Sequence, residues 1–239
     1  MNTLKKLIDN ATNIVALTGA GMSTESGLPD FRSITGLYRT VTTSLVFSSW
    51  LFKLWPGHFY KVMGPFYRQL REAKPNAGHL ALAELEKRGK KVQIITQNVD
   101  GLHQAAGSST VHEIHGKLGT MTCLKCGKVH KTEAFSETVT QGKKPRCRSC
   151  GGVLKPDLVF FGDSLPEEPL RRAKLAMLDA DLVLVCGTSL KVSPANQLPS
   201  YRVEGTPLVI INRAPTAWDD VATLVIHDSI GKVLSEAIE

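Results

Sequence analysis

Four of the five cysteines in this 239-residue chain occur as two closely spaced pairs. The pairs are Cys123-x-x-Cys126 and Cys147-x-x-Cys150, and 20 residues separate them. This spacing is typical of a zinc site with four thiolate ligands. A glycine follows each pair directly, as a tight knuckle around a metal requires. Four protein ligands leave no open position for water or substrate, so the pattern predicts one structural Zn²⁺.

A disulfide framework is the competing interpretation of these cysteines. The segment 1–12 has no apolar core of the kind found in signal peptides, and no stretch approaches the ~18 apolar residues of a membrane span. We therefore expect no membrane association and a cytoplasmic location, where thiols stay reduced. The fifth cysteine, Cys186, lies in an apolar run and is expected to be a small buried hydrophobe.

A glycine turn near the N-terminus could bind phosphate. The apolar run 14–17 is followed by Thr18-Gly19-Ala20-Gly21. Two glycines allow a sharp turn and a close approach to a ligand, and a helix over 22–26 would point its first N–H groups at it. The usual dinucleotide fingerprint has a third glycine where this chain has Thr24. An ordinary strand-to-helix turn is therefore an alternative at this point.

Other apolar runs also end in polar clusters. These are Gln97, Asn98 and Asp100 after run 92–96, Gly187, Thr188 and Ser189 after run 182–186, and Asn212 and Arg213 after run 207–211. Open parallel α/β sheets bind ligands at the carboxyl ends of their strands. We expect these clusters to line one ligand site.

Several strings together resemble the sirtuins, the NAD-dependent protein deacylases. GAG-x-S-x-x-SG-x-PDFR at 19–32 resembles the first sirtuin signature, and TQN-x-D-x-LH at 96–103 resembles the second. His115-Gly116 coincides with the sirtuin His-Gly, whose histidine is the general base. A lone histidine is more often structural, and on the resemblance His115 is favoured over His112. The resemblance covers nearly the whole chain.

The resemblance implies a set of site residues. The catalytic residues would be His115 and Asn98. The residues expected to contact NAD, the co-substrate, are Gly19, Ala20, Gly21, Ser23, Thr24, Asp30, Phe31, Arg32, Gln97, Asn98, Val99, Asp100, His115, Gly187, Thr188, Ser189, Asn212, Arg213, Asp228 and Ile230. The substrate peptide would pair as an added strand with Val159, Phe160, Phe161 and Gly162. Asp163 replaces the usual sirtuin Glu.

The implied reaction removes acetyl groups from protein lysines and gives lysine, nicotinamide and O-acetyl-ADP-ribose. Sirtuins that prefer succinyl or malonyl lysine carry a Tyr-x-x-Arg pair that holds the extra carboxylate. Here Met63 follows Tyr60, and Leu70 follows Tyr67, at that spacing. The sequence therefore favours acetyl or another neutral acyl group on a protein or peptide lysine.

The order of elements predicts an α/β fold, a doubly wound parallel Rossmann-like sheet with a small zinc-binding module inserted. The NAD-binding part would span about 1–32, 76–116 and 158–239, the zinc module about 117–157, and a cofactor loop with a helical insert about 33–75. Helices are predicted over 1–13, 60–71, 76–87, 166–178 and 230–238, and a strand over 155–163. No acid ends a second strand about 20 residues after the glycines, which disfavours a hydride-transfer dehydrogenase.

The net charge of +7 is concentrated in one segment. Residues 117–155 hold nine Lys/Arg and two acids, while the remaining chain is balanced. A zinc-ribbon nucleic-acid binder is therefore an alternative. Only Phe135 could stack on a base in that segment, so nucleic acid is an unlikely partner. A mono-ADP-ribosyltransferase that uses the same NAD site is a third hypothesis.

Overall fold

The computed structural model describes residues 2–30 and 45–239. The chain divides into two compact units. The first comprises Met1–Gly27, Lys74–Ile114 and Pro166–Glu239, and the second comprises Leu28–Ala73 and His115–Leu165. The predicted site residues Phe31 and Arg32 lie outside the described residues, as does the first part of the expected cofactor loop.

The elements are numbered along the described chain. The strands are β1 (Asn13–Thr18), β2 (Lys91–Thr96), β3 (Val111–Glu113), β4 (Gly116–Cys123), β5 (Val129–Lys131), β6 (Leu154–Leu158), β7 (Leu182–Cys186), β8 (Leu208–Ile211) and β9 (Leu224–Ile226). The α-helices are α1 (Asn2–Asn10), α2 (Ser49–Leu54), α3 (Pro56–Glu72), α4 (Ala77–Lys87), α5 (Leu102–Ala106), α6 (Ser136–Thr140), α7 (Glu167–Asp179) and α8 (Ile230–Ile238). Short 3-10 helices cover Ala20–Ser26, Thr132–Phe135, Ala195–Tyr201 and Asp219–Val221. None of the helices in residues 2–30 and 45–239 has the length and apolarity to cross a membrane.

The first unit is built on a six-stranded sheet. Its order is β3-β2-β1-β7-β8-β9, and every neighbouring pair is parallel. The order therefore reverses between β1 and β7, which is the switch point where such sheets bind their ligands. The central strands are continuous apolar runs because both faces are covered. The predicted doubly wound parallel sheet is confirmed.

Side chains alternate between two apolar layers along β1. Ile14 and Ala16 pack with Leu82 of α4 and Leu234 of α8, on the face that also holds α1. The other face has a second apolar layer. It contains Val15 and Leu17 with Ala173 and Met177 of α7 and with Leu198. This alternation has the strand period of two.

The second unit combines a three-stranded antiparallel sheet, in the order β5-β4-β6, with α2, α3 and α6. The strand predicted over 155–163 is shorter than expected, because β6 ends at Leu158. Beyond it, the ring of Phe160 is 1% exposed and lies 5.3 Å from Phe52 and 5.1 Å from Phe59. The Asp163 carboxylate accepts from the Phe160 N–H at 3.1 Å and turns the chain.

Candidate functional site

The turn after β1 is built by close backbone packing. Gly19 caps a 3-10 helix, Ala20–Ser26, which begins two residues earlier than the helix predicted over 22–26. A Cβ on Gly19 would lie 2.7 Å from the Thr188 Cβ, and one on Gly21 would lie 2.8 Å from the Gly187 backbone. Both glycines are thus required because the turns after β1 and β7 touch. The close approach of these glycines to a ligand stays a prediction.

Asn98 is the centre of a buried polar network at this edge. It is 6% exposed, and its side-chain amide donates to the Gly19 carbonyl at 2.9 Å and to Ser23 Oγ at 3.1 Å. Ser23 Oγ in turn donates to Asp100 Oδ2 at 2.7 Å. The backbone N–H of Asn98 donates to Thr96 Oγ1 at 3.0 Å. These bonds fix the Asn98 amide before any ligand arrives, as a preorganised site requires.

The ends of β7 and β8 contribute to the same edge of the sheet. Gln97 Nε2 donates to Thr188 Oγ1 at 2.9 Å, so the turns after β2 and β7 are joined directly. Asn212 follows β8, and its amide donates to the Ala214 carbonyl at 2.5 Å. Half-buried or buried hydroxyls and amides at strand ends are suitable donors and acceptors for ribose and phosphate oxygens. The residues present therefore fit a dinucleotide.

Asp228 lies just before α8, the closing helix of the first unit. Its carboxylate accepts from the Ser229 N–H at 2.7 Å and from Lys232 Nζ at 2.9 Å. The Lys232 ammonium and the Ser229 N–H lower the pKa of the Asp228 carboxyl. Asp228 therefore acts as a local stabiliser of this helix start, and Ile230 beside it is 5% exposed.

The four paired cysteines converge in the second unit. Their sulfur atoms all lie within 4.8 Å of one another, with 3.5 Å between Cys123 and Cys150 and 3.8 Å between Cys126 and Cys147. A tetrahedral site with Zn–S bonds of about 2.3 Å has sulfur–sulfur edges of about 3.8 Å. The cluster therefore fits one four-thiolate Zn²⁺.

Two glycine knuckles shape this cluster in the same way. Gly127 N–H donates to the Cys123 carbonyl and Gly151 N–H to the Cys147 carbonyl, each at 2.9 Å. Both glycines have positive φ, 72° and 70°, which only glycine adopts without strain. A Cβ on Gly152 would lie 2.7 Å from the Cys123 sulfur, so this position also needs glycine.

Groups around Cys123 and Cys147 favour thiolate. At Cys150, by contrast, the Gly152 N–H lowers the pKa, but the neighbouring sulfur atoms of Cys126 and Cys123 outweigh it and raise the pKa. Burial raises the pKa of Cys147, but the Ser149 N–H and the His130 ring, whose Nε2 lies 3.2 Å from the sulfur, outweigh it and bring the pKa to about 5. Burial also raises the pKa of Cys123, but hydrogen bonds from the backbone N–H groups of Cys126 and Lys125 outweigh it, and the pKa is lowered. Thiolate is the form that binds zinc.

His115 is held at the start of β4 by its backbone. Its carbonyl accepts from the Val159 N–H at 2.9 Å, so it lies beside the segment predicted to bind the peptide. Gly116 has φ 79°, and a Cβ there would lie only 2.1 Å from the Asp157 carbonyl oxygen. The His-Gly pair is thus explained: glycine lets β4 approach β6 directly after the histidine.

Replacing Gly116 with alanine should therefore destabilise the second unit. The added methyl group meets backbone at a positive φ, and we expect a loss of about 1–3 kcal/mol in the free energy of unfolding. Thermal unfolding measures this loss. Gly119→Ala is the matched control in the same strand, because nothing lies within 4 Å of its added Cβ. Equal melting temperatures for both variants would contradict the steric explanation.

Comparison with known proteins identifies the family. The model of the Sir2 family matches residues 19–194. The NAD-dependent protein deacetylase of Clostridium acetobutylicum is 42% identical over 246 residues, covering 100% of this chain and 98% of the relative. The chain belongs to the Sir2 family. A second sirtuin relative, NAD-dependent protein deacetylase 1 of Geobacillus kaustophilus, is 45% identical over 99% of this chain and 97% of its own length.

Solved Sir2 structures match over nearly the whole chain. A Sir2 complex with a deacetylated p53 peptide and 3′-O-acetyl-ADP-ribose has a TM-score of 0.92 and 37% identity, covering 98% of this chain and 95% of that one. A Sir2 complex with a p53 peptide and NAD⁺ has a TM-score of 0.90 and 36% identity, with 100% and 97% covered. The sirtuin resemblance predicted from the motifs is confirmed.

The structure brings together many of the sirtuin-like residues predicted for NAD. Eight of them contact one another at the ends of β1, β2 and β7. They are Gly19, Gly21, Ser23, Gln97, Asn98, Asp100, Gly187 and Thr188. Thr24 Oγ1 donates to the Gly21 carbonyl at 2.9 Å within the turn, and its contact with NAD stays a prediction. Ala20, Val99 and Ser189 are half-buried, and Arg213 is exposed. Asp30 belongs to the second unit.

The segment predicted to bind the peptide has contacts of its own. Phe161 N–H donates to the Phe47 carbonyl at 2.8 Å, and its carbonyl accepts from the Ser49 N–H at 3.0 Å. Phe160 is part of the aromatic core, as described above. Pairing of a peptide with Val159, Phe160, Phe161 and Gly162 stays a prediction, and Phe161 would have to exchange these partners to take part.

Sequence reasoning missed residues that contact the predicted site residues and support their positions. His130 lies beside Cys147 but has no place in the two cysteine pairs. Thr18, Thr96 and His103 form a hydrogen-bonded chain behind Asn98. Thr18 adjoins the glycine turn, and Thr96 and His103 belong to the string TQN-x-D-x-LH at 96–103. No other sequence signal indicates their hydrogen bonds, because a contact between residues about 80 positions apart leaves no local pattern.

Proposed function

We propose that this chain removes acetyl groups from protein lysine side chains, with NAD as co-substrate. The reaction consumes one water, and its products are the free lysine, nicotinamide and O-acetyl-ADP-ribose. The observation that carries the proposal is the match over nearly the whole chain to a Sir2 structure that holds a deacetylated peptide and 3′-O-acetyl-ADP-ribose. The presence of both products in one homologous structure supports an acyl transfer to ADP-ribose.

The first unit would hold NAD at the carboxyl edge of its sheet. The preorganised amide of Asn98, with Ser23 and Asp100 bonded behind it, is assigned to the nicotinamide end. Thr188 and Asn212 are assigned to ribose and phosphate oxygens. When bound, NAD supplies the ribose carbon from which nicotinamide leaves and the hydroxyl that takes up the acetyl group. The residues of this unit orient and enclose that chemistry.

His115 is assigned as the general base, which takes up a proton on its imidazole ring. Histidine is the residue type used most often for this role. The Val159 N–H donates to the His115 carbonyl, and Gly116 after it packs closely against Asp157. The backbone of His115 therefore has a defined position in the second unit. Phe31, outside the described residues, is assigned to exclude water that would otherwise consume the activated ribose.

Zinc has a structural role in this proposal. Cys123, Cys126, Cys147 and Cys150 would hold the ion with no open position. Because four thiolates need a reducing compartment, we also propose a cytoplasmic location.

Acetyl is proposed over succinyl or malonyl as the acyl group. Tyr60 is 1% exposed, and its hydroxyl donates to the Leu154 carbonyl at 2.6 Å. Met63, three residues later, is also buried and carries no charge. These positions therefore offer no cation for an acidic acyl group.

The test is a paired product assay on the zinc-loaded protein. Nicotinamide release from NAD is followed with an acetyl-lysine peptide, with a succinyl-lysine peptide and with no peptide, while the mass of each peptide is recorded. We expect nicotinamide and deacetylated peptide to appear together in equal amounts, and only with the acetyl peptide. Nicotinamide without deacetylation would indicate ADP-ribosyl transfer or NAD hydrolysis instead. No product with either peptide would overturn the proposal.

A further inference from the structure

We propose that His103 is a positioning residue for the nicotinamide end of the NAD site, acting through Thr18 and Thr96 on Asn98. This inference rests on the proposed function, because it concerns the pocket assigned there to nicotinamide. No part of it requires His103 to touch a ligand.

The link from His103 to Asn98 is a continuous chain of hydrogen bonds. His103 is 1% exposed, and its Nε2 lies 3.0 Å from Thr18 Oγ1. Thr18 Oγ1 donates to Thr96 Oγ1 at 2.9 Å, and both threonines are buried. Thr96 Oγ1 is the atom that accepts the Asn98 N–H. His103 is therefore two hydroxyl groups away from the backbone of Asn98.

The direction of these bonds assigns the proton on His103. A threonine hydroxyl has one proton, and that of Thr18 is committed to Thr96. His103 must therefore donate its Nε2–H to Thr18, which leaves Nδ1 as an acceptor. Burial lowers the pKa of His103 to about 3, so the ring is neutral at physiological pH and carries a single N–H. The neutral His103 ring thus donates to Thr18 Oγ1 and orients the Thr18 hydroxyl so that it donates to Thr96.

A second histidine packs against the His103 ring. The rings of His79 and His103 are 4.7 Å apart between centroids, with 60° between their planes. The Asn76 N–H donates to His79 Nδ1 at 3.3 Å, so the His79 proton is on Nε2. Asn76 also donates from its side chain to the Met22 carbonyl at 2.8 Å. The same arrangement therefore connects the start of α4, the glycine turn and His103.

The remaining nitrogens of this pair are complementary. Within residues 2–30 and 45–239, His79 Nε2 and His103 Nδ1 are buried and have no hydrogen-bond partner. One is a donor and the other an acceptor. Burial lowers the pKa of His79 to about 4, so this ring is neutral as well. Two neutral rings in contact avoid the repulsion that two buried imidazolium ions would have.

Loss of the His103 hydrogen bond should affect one end of the NAD site and not the other. His103 reaches Asn98 through Thr18 and Thr96, whereas Asn212 follows β8 and has its own partner, the Ala214 carbonyl. Removing the His103 donor should loosen the nicotinamide end and leave the ADP-ribose end intact. NAD and ADP-ribose differ by nicotinamide, so the two ligands report on the two ends separately.

The experiment compares the dissociation constants of NAD and ADP-ribose by calorimetry. The variants are His103→Leu, which removes the donor at similar volume, and His103→Gln, whose amide restores a donor toward Thr18. Thr18→Val breaks the same link from the other side and serves if the leucine variant does not fold. The control is His112→Leu, a half-buried histidine of β3 whose ring lies 3.4 Å from Gln93 Oε1.

We expect His103→Leu and Thr18→Val to weaken NAD binding by about five- to tenfold, the equivalent of one hydrogen bond. Binding of ADP-ribose should stay within about twofold of the parent, and His103→Gln should recover most of the NAD affinity. Equal weakening of both ligands would indicate a merely structural histidine and overturn the inference, as would unchanged NAD binding. If the parent protein binds NAD but deacetylates no peptide, the proposed function is refuted. The affinities of the variants for NAD and ADP-ribose would still decide the role of His103.

Discussion

Replacing His115 with alanine should lower the turnover number for deacetylation by about 10²–10⁴, the usual contribution of a general base. The affinity for NAD should change little, because the side chains assigned to its nicotinamide, ribose and phosphate groups, Asn98, Thr188 and Asn212, belong to the first unit. The substitution keeps the bond from the Val159 N–H to the His115 carbonyl and leaves the glycine at 116 in place. Steady-state rates with an acetyl-lysine peptide, together with calorimetric NAD binding, measure the two effects.

The matched control for this substitution is His112→Ala. His112 lies three residues earlier, in β3, and is half-buried like His115. It should retain the parent rate, because its ring contacts Gln93 and has no assigned role in the reaction. A His115→Ala enzyme that still deacetylates at near the parent rate would remove His115 as the base. A rate lost equally in both variants would point to damage of the local fold.

The strands at the centre of the sheet were predictable because they are buried on both faces. Apolar runs such as that of β7 have to form parallel strands in a covered sheet, and their polar ends then meet at one edge. Cys186 illustrates the same rule, since it is fully buried and its pKa is raised to about 12 by burial. The cysteine pairs were equally predictable, because metal coordination imposes a spacing that is visible in the sequence.

The parts that could not be predicted depend on contacts between distant residues. Gly19 and Gly21 were predicted to approach a ligand closely, and their close packing against the turn at Gly187 was not foreseen. The strand after residue 154 was expected to continue to residue 163, yet the core around Phe160 ends it early. The role of His103 depends on its contact with Thr18, which is 85 residues away in the sequence. Local patterns identify elements and motifs, whereas the packing of one turn on another has no local signature.

Replacing Cys147 with serine should remove zinc from the protein and unfold the three-stranded sheet of the second unit. Structural zinc contributes about 10–16 kcal/mol of apparent binding free energy in zinc-finger peptides, which is as large as the whole stability of a typical domain. Cys147 is 3% exposed and lies 3.8 Å from the Cys126 sulfur, so serine leaves a buried gap in the ligand set. Metal analysis should fall from one zinc per chain towards none.

Hydrogen exchange resolves where the structure is lost. Amides of β4, β5 and β6 should exchange rapidly in Cys147→Ser, while those of β1, β2 and β7 should stay protected, because the parallel sheet has its own two apolar layers. Cys186→Ala is the control: it also removes a buried thiol, but one outside the cluster, and should keep one zinc per chain. A zinc-free Cys147→Ser protein that remained folded and fully active would refute the structural role of the metal. Rapid exchange throughout both units would instead show that zinc stabilises the parallel sheet as well, so that the two units unfold as one.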